Sequence, residues 1–326
     1  MINQIQNLNS IFKNFKIKAE CVRFKEINNY FYYDLKLGPA AKIKSIENIS
    51  NEIALALQAP SKPSIKILHE EGVVRLEFFK KNNQSFNLLE CLNLYEKPNY
   101  NIPCLLGYQV NGLPLWMDLS QNPHIIVGGT TGSGKSTILH NIIANIIYYN
   151  SANIYLIDPK NIEFAPYQNR YFNINVFYDY HSALSLLNSL IEVMEYRFSL
   201  MRNGVPESNF TSEVVIIDEF ADLIMQDTDY QFYNNLCRLA QKCRAAKIYL
   251  VLSTQRPSTN IINGMIKANF PARISCKVSS HIDSKIILDS SGAENLMGKG
   301  DAIIKDNFRN LERFQVAYVS PKQFIN

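Results

Sequence analysis

The chain lacks any apolar run long enough for a membrane-spanning helix, so direct membrane insertion is not expected. Its start, Met1 to Ser10, is rich in Asn and Gln and has no signal-peptide core. A soluble, cytoplasmic protein is therefore expected. Cysteine is sparse: Cys21, Cys91, Cys104, Cys237, Cys243 and Cys276 form no Cys-x-x-Cys pair, and the 5 histidines are scattered. That spacing argues against a zinc site and leaves reduced, buried thiols as the expected state. Excess charge is missing too, since 33 Lys and Arg against 29 Asp and Glu give a net charge of +4. A nucleic-acid partner would have to be held by a local group of basic residues. No internal repeat is visible. Apolar residues are abundant, at 47% of 326, enough for a well-filled core in two domains or in one large domain with an appendage.

The most informative stretch is Gly129-Thr130-Thr131-Gly132-Ser133-Gly134-Lys135-Ser136, followed by Thr137. It lies between the apolar run His124–Val127 and a helical pattern from Thr137 to Tyr149. Strand, glycine-rich loop and helix N-terminus occur in the order a nucleoside triphosphate requires. The glycines let backbone N–H groups turn inward around phosphate oxygens. Lys135 can reach the β- and γ-phosphates of ATP, and the Ser136 hydroxyl can ligate Mg²⁺.

The chain changes character along its length. Residues 1–104 read as a small α+β domain with a linker. Tyr30–Leu37 and Val73–Phe79 are strand-like, and an amphipathic helix with Ile49, Ile53 and Leu57 on its face lies within Ile43–Ala59. Pro98, Pro103, Gly107, Gly112 and Pro114 mark the linker. Residues 105–326 alternate strands and helices. Strands are expected at His124–Val127, Asn153–Ile157, Val214–Ile217, Ile248–Leu252, Ala272–Val278, Asp301–Ile304 and Phe314–Val319. A long helix carries the stripe Leu184, Leu187, Ile191, Met194, Phe198 and Met201. The pattern predicts an α/β fold with a mainly parallel sheet covered on both faces.

Other motifs surround the loop. Val214-Val215-Ile216-Ile217-Asp218-Glu219 is a buried strand ending in two carboxylates, at the edge where parallel sheets bind ligands. Asp218 is placed to hold the Mg²⁺ shell and Glu219 to activate the attacking water. Gln255, in Leu252-Ser253-Thr254-Gln255-Arg256-Pro257, is a polar amide at a strand end that can sense the γ-phosphate; the alternative is a capped turn before Pro257. Arg244 lies off the apolar stripe of Leu236, Leu239 and Cys243. On chemistry alone it is either a solvated surface arginine or a finger that stabilises a neighbour's transferring phosphate.

Taken together these residues resemble the FtsK/SpoIIIE DNA translocases, ring motors that pump double-stranded DNA. The likeness rests on Leu-x-x-x-Pro-His-Ile-Ile-Val-Gly-Gly-Thr-Thr-Gly-Ser-Gly-Lys-Ser at Leu119–Ser136, Asp158-Pro159-Lys160 with Glu163, and Asp218-Glu219-Phe220-Ala221-Asp222-Leu223. Leu239–Ala246, Thr254–Ser258, Ile266–Ile274, Val278–Lys285 and Gly292–Asp301 follow in order. Gly38-Pro39 and Ile53–Leu57 look like the α-domain that precedes the family's RecA-like P-loop NTPase domain. The resemblance covers roughly Leu35 to Ile304. It implies ATP and Mg²⁺ at Lys135 and Ser136, hydrolysis at Asp218 and Glu219, and an arginine finger at Arg244. It also implies duplex-DNA contacts at Arg256 and Lys267, and a hexameric ring.

The family's N-terminal membrane helices and its winged-helix γ-domain have no counterpart among these residues, and Lys247 stands where the family often has glycine. A motor for transfer or packaging of DNA by a plasmid, integrative element or phage is expected, anchored by a membrane-channel or packaging partner. The second reading is a coupling ATPase that recruits a protein–DNA complex to a conjugation or secretion channel. A third is a ring scaffold that binds ATP without hydrolysing it, against which Glu219 argues.

Overall fold

Aromatic and β-branched residues crowd the first third of the chain and form their own sheet. The computed structural model describes residues 2–80 and 85–325 and divides by internal contacts into two units. The smaller holds the residues up to Ser85 together with Tyr108–Leu113 and Asn295–Met297. Its elements are α1 (Ile2–Asn14), β1 (Ala19–Ile27), β2 (Tyr30–Leu37), α2 (Ile43–Asn48), α3 (Ser50–Ala56), β3 (Ser64–Leu68) and β4 (Val73–Phe79). The strands pair antiparallel in the order β1-β2-β4-β3. Helix α1 is hidden in the sequence by its Asn and Gln content, yet Leu8, Ile11 and Phe12 form a buried stripe packed with Tyr33, Leu35 and Phe78. The helix expected within Ile43–Ala59 is broken into α2 and α3 at Ile49. There the Ser50 hydroxyl donates to the Glu47 carbonyl at 2.6 Å and competes with the helical ladder. Strand β4 is buried along its whole length. Arg75 fits inside because it donates twice to Asp34, at 2.7 and 3.0 Å.

The larger unit comprises Phe86–Gly107, Pro114–Glu294 and 298–326. In order it contains α4 (Leu88–Leu94), β5 (Pro103–Gln109), β6 (Pro114–Asp118), β7 (His124–Gly128), α5 (Lys135–Tyr149), β8 (Asn153–Ile157), β9 (Ile174–Phe177) and α6 (Tyr180–Arg202). Then come β10 (Glu213–Ile217), α7 (Phe220–Gln226), α8 (Gln231–Lys242), β11 (Ile248–Thr254), α9 (Gly264–Asn269), β12 (Ala272–Ser275), α10 (His281–Leu288), β13 (Asp301–Lys305), β14 (Glu312–Val316) and α11 (Lys322–Ile325). Ten strands form one sheet in the order β6-β5-β14-β13-β12-β7-β11-β10-β8-β9. The stretch from β12 to β9 is parallel, and β13 and β14 run antiparallel. The fold is α/β with a mixed, mostly parallel sheet.

Three expectations need correction. Pro103, Gly107 and Pro114 lie in β5 and β6, not in a linker. Gly107 is required by close packing, since a Cβ there would fall 1.9 Å from the Gln315 carbonyl of β14. The β12 strand stops at Ser275, because the chain beyond Cys276 turns to bond the glycine-rich loop. The buried face of α6 is wider than the expected stripe: Leu187, Ile191 and Met194 are buried as expected, Leu184, Phe198 and Met201 are half-buried, and Ala183, Leu186, Leu190 and Arg197 are buried as well. Arg197 is admitted by Glu213, 2.6 Å away.

Candidate nucleotide site

Strands β7, β10 and β11 are buried at every residue and deliver their carboxyl ends to one edge of the sheet. Helix α5 leaves that edge and is buried on nearly all sides from Ile138 to Ile146, as a helix inside a core must be. Its buried amides fix its position. Asn145 accepts from the Leu105 N–H at 2.9 Å, and Asn141 donates to the Ala317 carbonyl at 3.0 Å.

Between β7 and α5 the loop is held from outside. Thr130 donates its backbone N–H and its hydroxyl to the Lys277 carbonyl, at 2.9 and 3.1 Å. The Ser133 carbonyl accepts from Gly300 N–H at 3.0 Å. Gly134 has a φ of 113°, and a Cβ on it would lie 2.5 Å from the Gly300 nitrogen. Only glycine fits there. Gly129 meets Cys276 in the same way, at 2.7 Å. Gly132, Ser136 and Thr137 complete the turn into α5, with Gly132 and Thr131 exposed.

The charged groups converge at this edge. Lys135 is 4% exposed and donates to the Asp218 carboxylate at 3.0 Å and to the Asp218 carbonyl at 3.1 Å. Glu219, 2% exposed, accepts from the Thr254 hydroxyl at 2.8 Å and from the Gln255 N–H at 3.0 Å. The Gln255 side chain accepts from the Thr131 hydroxyl at 2.7 Å. Gln255 therefore reaches the loop through its amide and Glu219 through its backbone. Sequence reasoning missed Thr254 and Lys277, because one acts as a neighbour's anchor and the other through a carbonyl. The donors suited to a divalent cation are oxygens, the Ser136 hydroxyl and the Asp218 carboxylate, which match the preference of Mg²⁺.

The sequence profile of the FtsK/SpoIIIE family matches residues 93–210 and 206–259, and that of the FtsK alpha domain matches residues 1–77. The chain belongs to the FtsK/SpoIIIE family. It is 37% identical over 292 residues to the DNA translocase FtsK of Chlamydia pneumoniae, covering 81% of this chain and 36% of that protein. It is 33% identical over 325 residues to the DNA translocase SftA of Bacillus subtilis, covering 93% of this chain and 34% of that protein. The chain thus spans little more than a third of these relatives. The fold is shared with the pCW3 conjugation coupling protein TcpA, solved with ATPγS, at a TM-score of 0.69 and 20% identity over 98% of this chain and 96% of that one. It is also shared with the cytoplasmic domain of the type VII secretion ATPase EccC of Thermomonospora curvata, at 0.62 and 20% identity over 73% and 32%.

Of the remaining predicted residues of this FtsK/SpoIIIE chain, Arg244 and Lys267 bond to residues outside the loop, and Arg256 directly follows Gln255. Arg244 is exposed beyond the amino ends of β7 and β11, with Nη2 3.4 Å from Gln121 Oε1. The 7 residues of β11 separate it from the loop, roughly 20 Å at the usual strand rise. Lys247 has a φ of 54°, the left-handed conformation that favours glycine. Arg256 is exposed at the loop edge. Lys267 is not free: its ammonium lies 2.8 Å from Asp289, which also pairs with Arg273 and Lys305. Among the described residues no helix is long and apolar enough to cross a membrane, and all six cysteines are free and buried.

Proposed function

We propose that this chain is an ATP-hydrolysing motor that translocates double-stranded DNA, working in the cytoplasm as a hexameric ring. The observation that carries the reading is Glu219, a buried carboxylate held by Thr254 and Gln255 beside the Lys135–Asp218 pair. A site that only bound nucleotide would not need it. Backbone amides of Gly129 to Gly134 cradle the phosphates, and Lys135 leaves Asp218 for the β- and γ-oxygens. That exchange would free Asp218 to hold Mg²⁺ together with the Ser136 hydroxyl, while Thr137 would line the nucleotide. Mg²⁺, when bound, neutralises phosphate charge. Glu219 orients the attacking water and Gln255 senses the γ-phosphate. Arg244, too far from its own loop, serves the site of the neighbouring subunit.

Duplex DNA as the partner is supported by the likeness to proteins named DNA translocases along most of this chain. Arg256 follows Gln255 directly, so a DNA contact and a phosphate sensor share one turn. A motor indifferent to sequence should hold phosphates. Transfer or packaging of a mobile element or phage genome, with a channel or packaging protein as anchor, is the role that fits such a motor.

The deciding measurement is ATP hydrolysis with and without long linear duplex DNA at low and moderate salt. Stimulation that fades with salt is expected. Hydrolysis indifferent to duplex DNA would refute the motor and favour a coupling ATPase. Arg256→Ala should lower the slope of log affinity against log salt by about one. Lys267→Ala should lower it less, because Asp289 already holds that charge.

A further inference from the structure

Arg197, on α6, is buried and reaches the turn that presents Arg244. Its Nη1 donates to the Ala246 carbonyl at 2.6 Å, and its Nη2 donates to the Glu213 carboxylate at 2.6 Å. Glu213 opens β10. Its other carboxylate oxygen accepts from Asn153 Nδ2 at 3.0 Å and from the Tyr155 hydroxyl at 3.2 Å, both on β8. The Glu213 backbone N–H donates to the Lys247 carbonyl at 2.9 Å. The turn is also closed on itself: Lys247 N–H donates to the Arg244 carbonyl at 3.0 Å, and Ile248 N–H to the Cys243 carbonyl at 3.1 Å. Of the turn's two cations, Lys247 donates to the Phe210 carbonyl, 3.2 Å from its Nζ. Arg244 is left exposed.

A buried guanidinium and carboxylate lose their hydration, and a well-packed apolar pair of similar volume is often as stable or more so. Stability alone is therefore weak grounds for this pair. What it supplies, and an apolar pair cannot, is a directed, charge-assisted bond to one carbonyl, and that carbonyl lies two residues after Arg244. The planar fork spans both partners at once, so the turn is fixed to the start of β10. Asp218 and Glu219 follow the far end of the same strand. A residue that must meet a partner's phosphate has to leave from a fixed base, since a misplacement of about 1 Å can cost about 100-fold in rate. Resting on the function proposed above, in which Arg244 serves a neighbour's site, we infer that Arg197 is a positioning residue, braced by Glu213. It sets where the Arg244 guanidinium meets the adjacent subunit's nucleotide, and it takes no part in the nucleotide site of its own subunit.

The test is ATP turnover in mixed assemblies, beside ATPγS binding. Combining Arg197→Met with Glu213→Gln replaces the pair by neutral groups of similar size. The introduced amide can still accept from Asn153 and Tyr155, so neither charge is left buried alone. This double variant should bind ATPγS with unchanged affinity, and its turnover should fall about 10–100-fold. Mixed with Lys135→Ala subunits, which keep an intact Arg244, it should recover part of that loss, because its own nucleotide loop is sound. Mixed with Arg244→Ala subunits it should recover none. Added to Arg244→Ala in one chain, it should cost nothing further. Arg197→Lys keeps the charge but not the fork and should lose less; the same mixtures made with it decide the matter if the double variant does not fold. A pair that only stabilised the fold would leave the two mixtures alike. That result, or wild-type turnover in the double variant, would overturn the inference while Arg244→Ala still showed its own loss. Unchanged turnover in Arg244→Ala would overturn the finger reading and this inference with it.

Discussion

The two ends of the central strands are built on opposite terms. At the carboxyl ends Lys135, Asp218, Glu219 and Thr254 are buried and satisfy one another. At the amino ends Arg244 is exposed, touches Gln121 only at 3.4 Å, and has no carboxylate partner among the described residues. A buried charge must be paired to be tolerated, so the carboxyl edge is a self-sufficient, preorganised site. An exposed arginine carries no such obligation in its own subunit. On the function proposed above, the contrast would divide the machinery into a half that this chain completes alone and a half it offers to a neighbour.

The sharpest way to break that division is Arg244→Ala. Turnover should fall about 10³-fold, the lower range for a lost arginine finger, with nucleotide affinity unchanged. Mixing Arg244→Ala with Lys135→Ala subunits should restore part of the activity, because each repairs the other's defect at shared interfaces. Mixtures no more active than either parent would mean that Arg244 does not act across subunits.

A smaller effect tests whether the carboxyl edge is as self-contained as it looks. Thr254→Val removes the hydroxyl that Glu219 accepts, while Val keeps the strand's shape. Turnover should drop about tenfold, near the worth of one hydrogen bond to a charged group, with KM unchanged. Glu219→Gln should cost about 10²–10⁴, the range for removing a general base. A loss for Thr254→Val as large as that for Glu219→Gln would mean that Thr254 meets the reacting groups itself.

How far the sequence revealed these features depended on whether a residue acts through its own side chain. The apolar runs of β7, β8, β10 and β11 were legible because central parallel strands are largely buried on both faces and show as short runs rich in Ile, Val and Leu. Strands β5 and β6 were not, since Gly107 and Pro114 look like punctuation. Gly107 owes its place to the neighbouring carbonyl of Gln315, which no local pattern encodes. The pairing of Lys135 with Asp218 follows from two motifs at one sheet edge. The Gly300 N–H bond to the Ser133 carbonyl and the Thr130 N–H bond to the Lys277 carbonyl are backbone contacts between residues more than a hundred positions apart, which no local pattern announces. Lys267 shows the converse: its type invites a role with DNA, and its ion pair with Asp289 appears only once α9 and α10 are folded together.

The smallest expected effect concerns stability and again separates the two ends. His124 opens β7 at the amino end, buried at 2% exposure. Burial pushes its pKa down to about 4, and the Arg244 charge adds to the shift. Below the unfolded value near 6.5 the unfolded chain takes up a proton that the folded chain refuses until pH nears 4. Stability should therefore be highest above pH 6.5 and fall through that window, by on the order of 3 kcal/mol. Asp289 contributes elsewhere: burial opposes its charge, but Lys267 and Arg273 hold its carboxyl well below the usual range, so its contribution is lost only in stronger acid. Urea melts at pH 7 and pH 5 should show the fall in the wild type and a flatter profile in His124→Leu. Equal slopes in the two proteins would mean that His124 already carries its proton in the folded state, and that the amino edge tolerates a second positive charge beside Arg244.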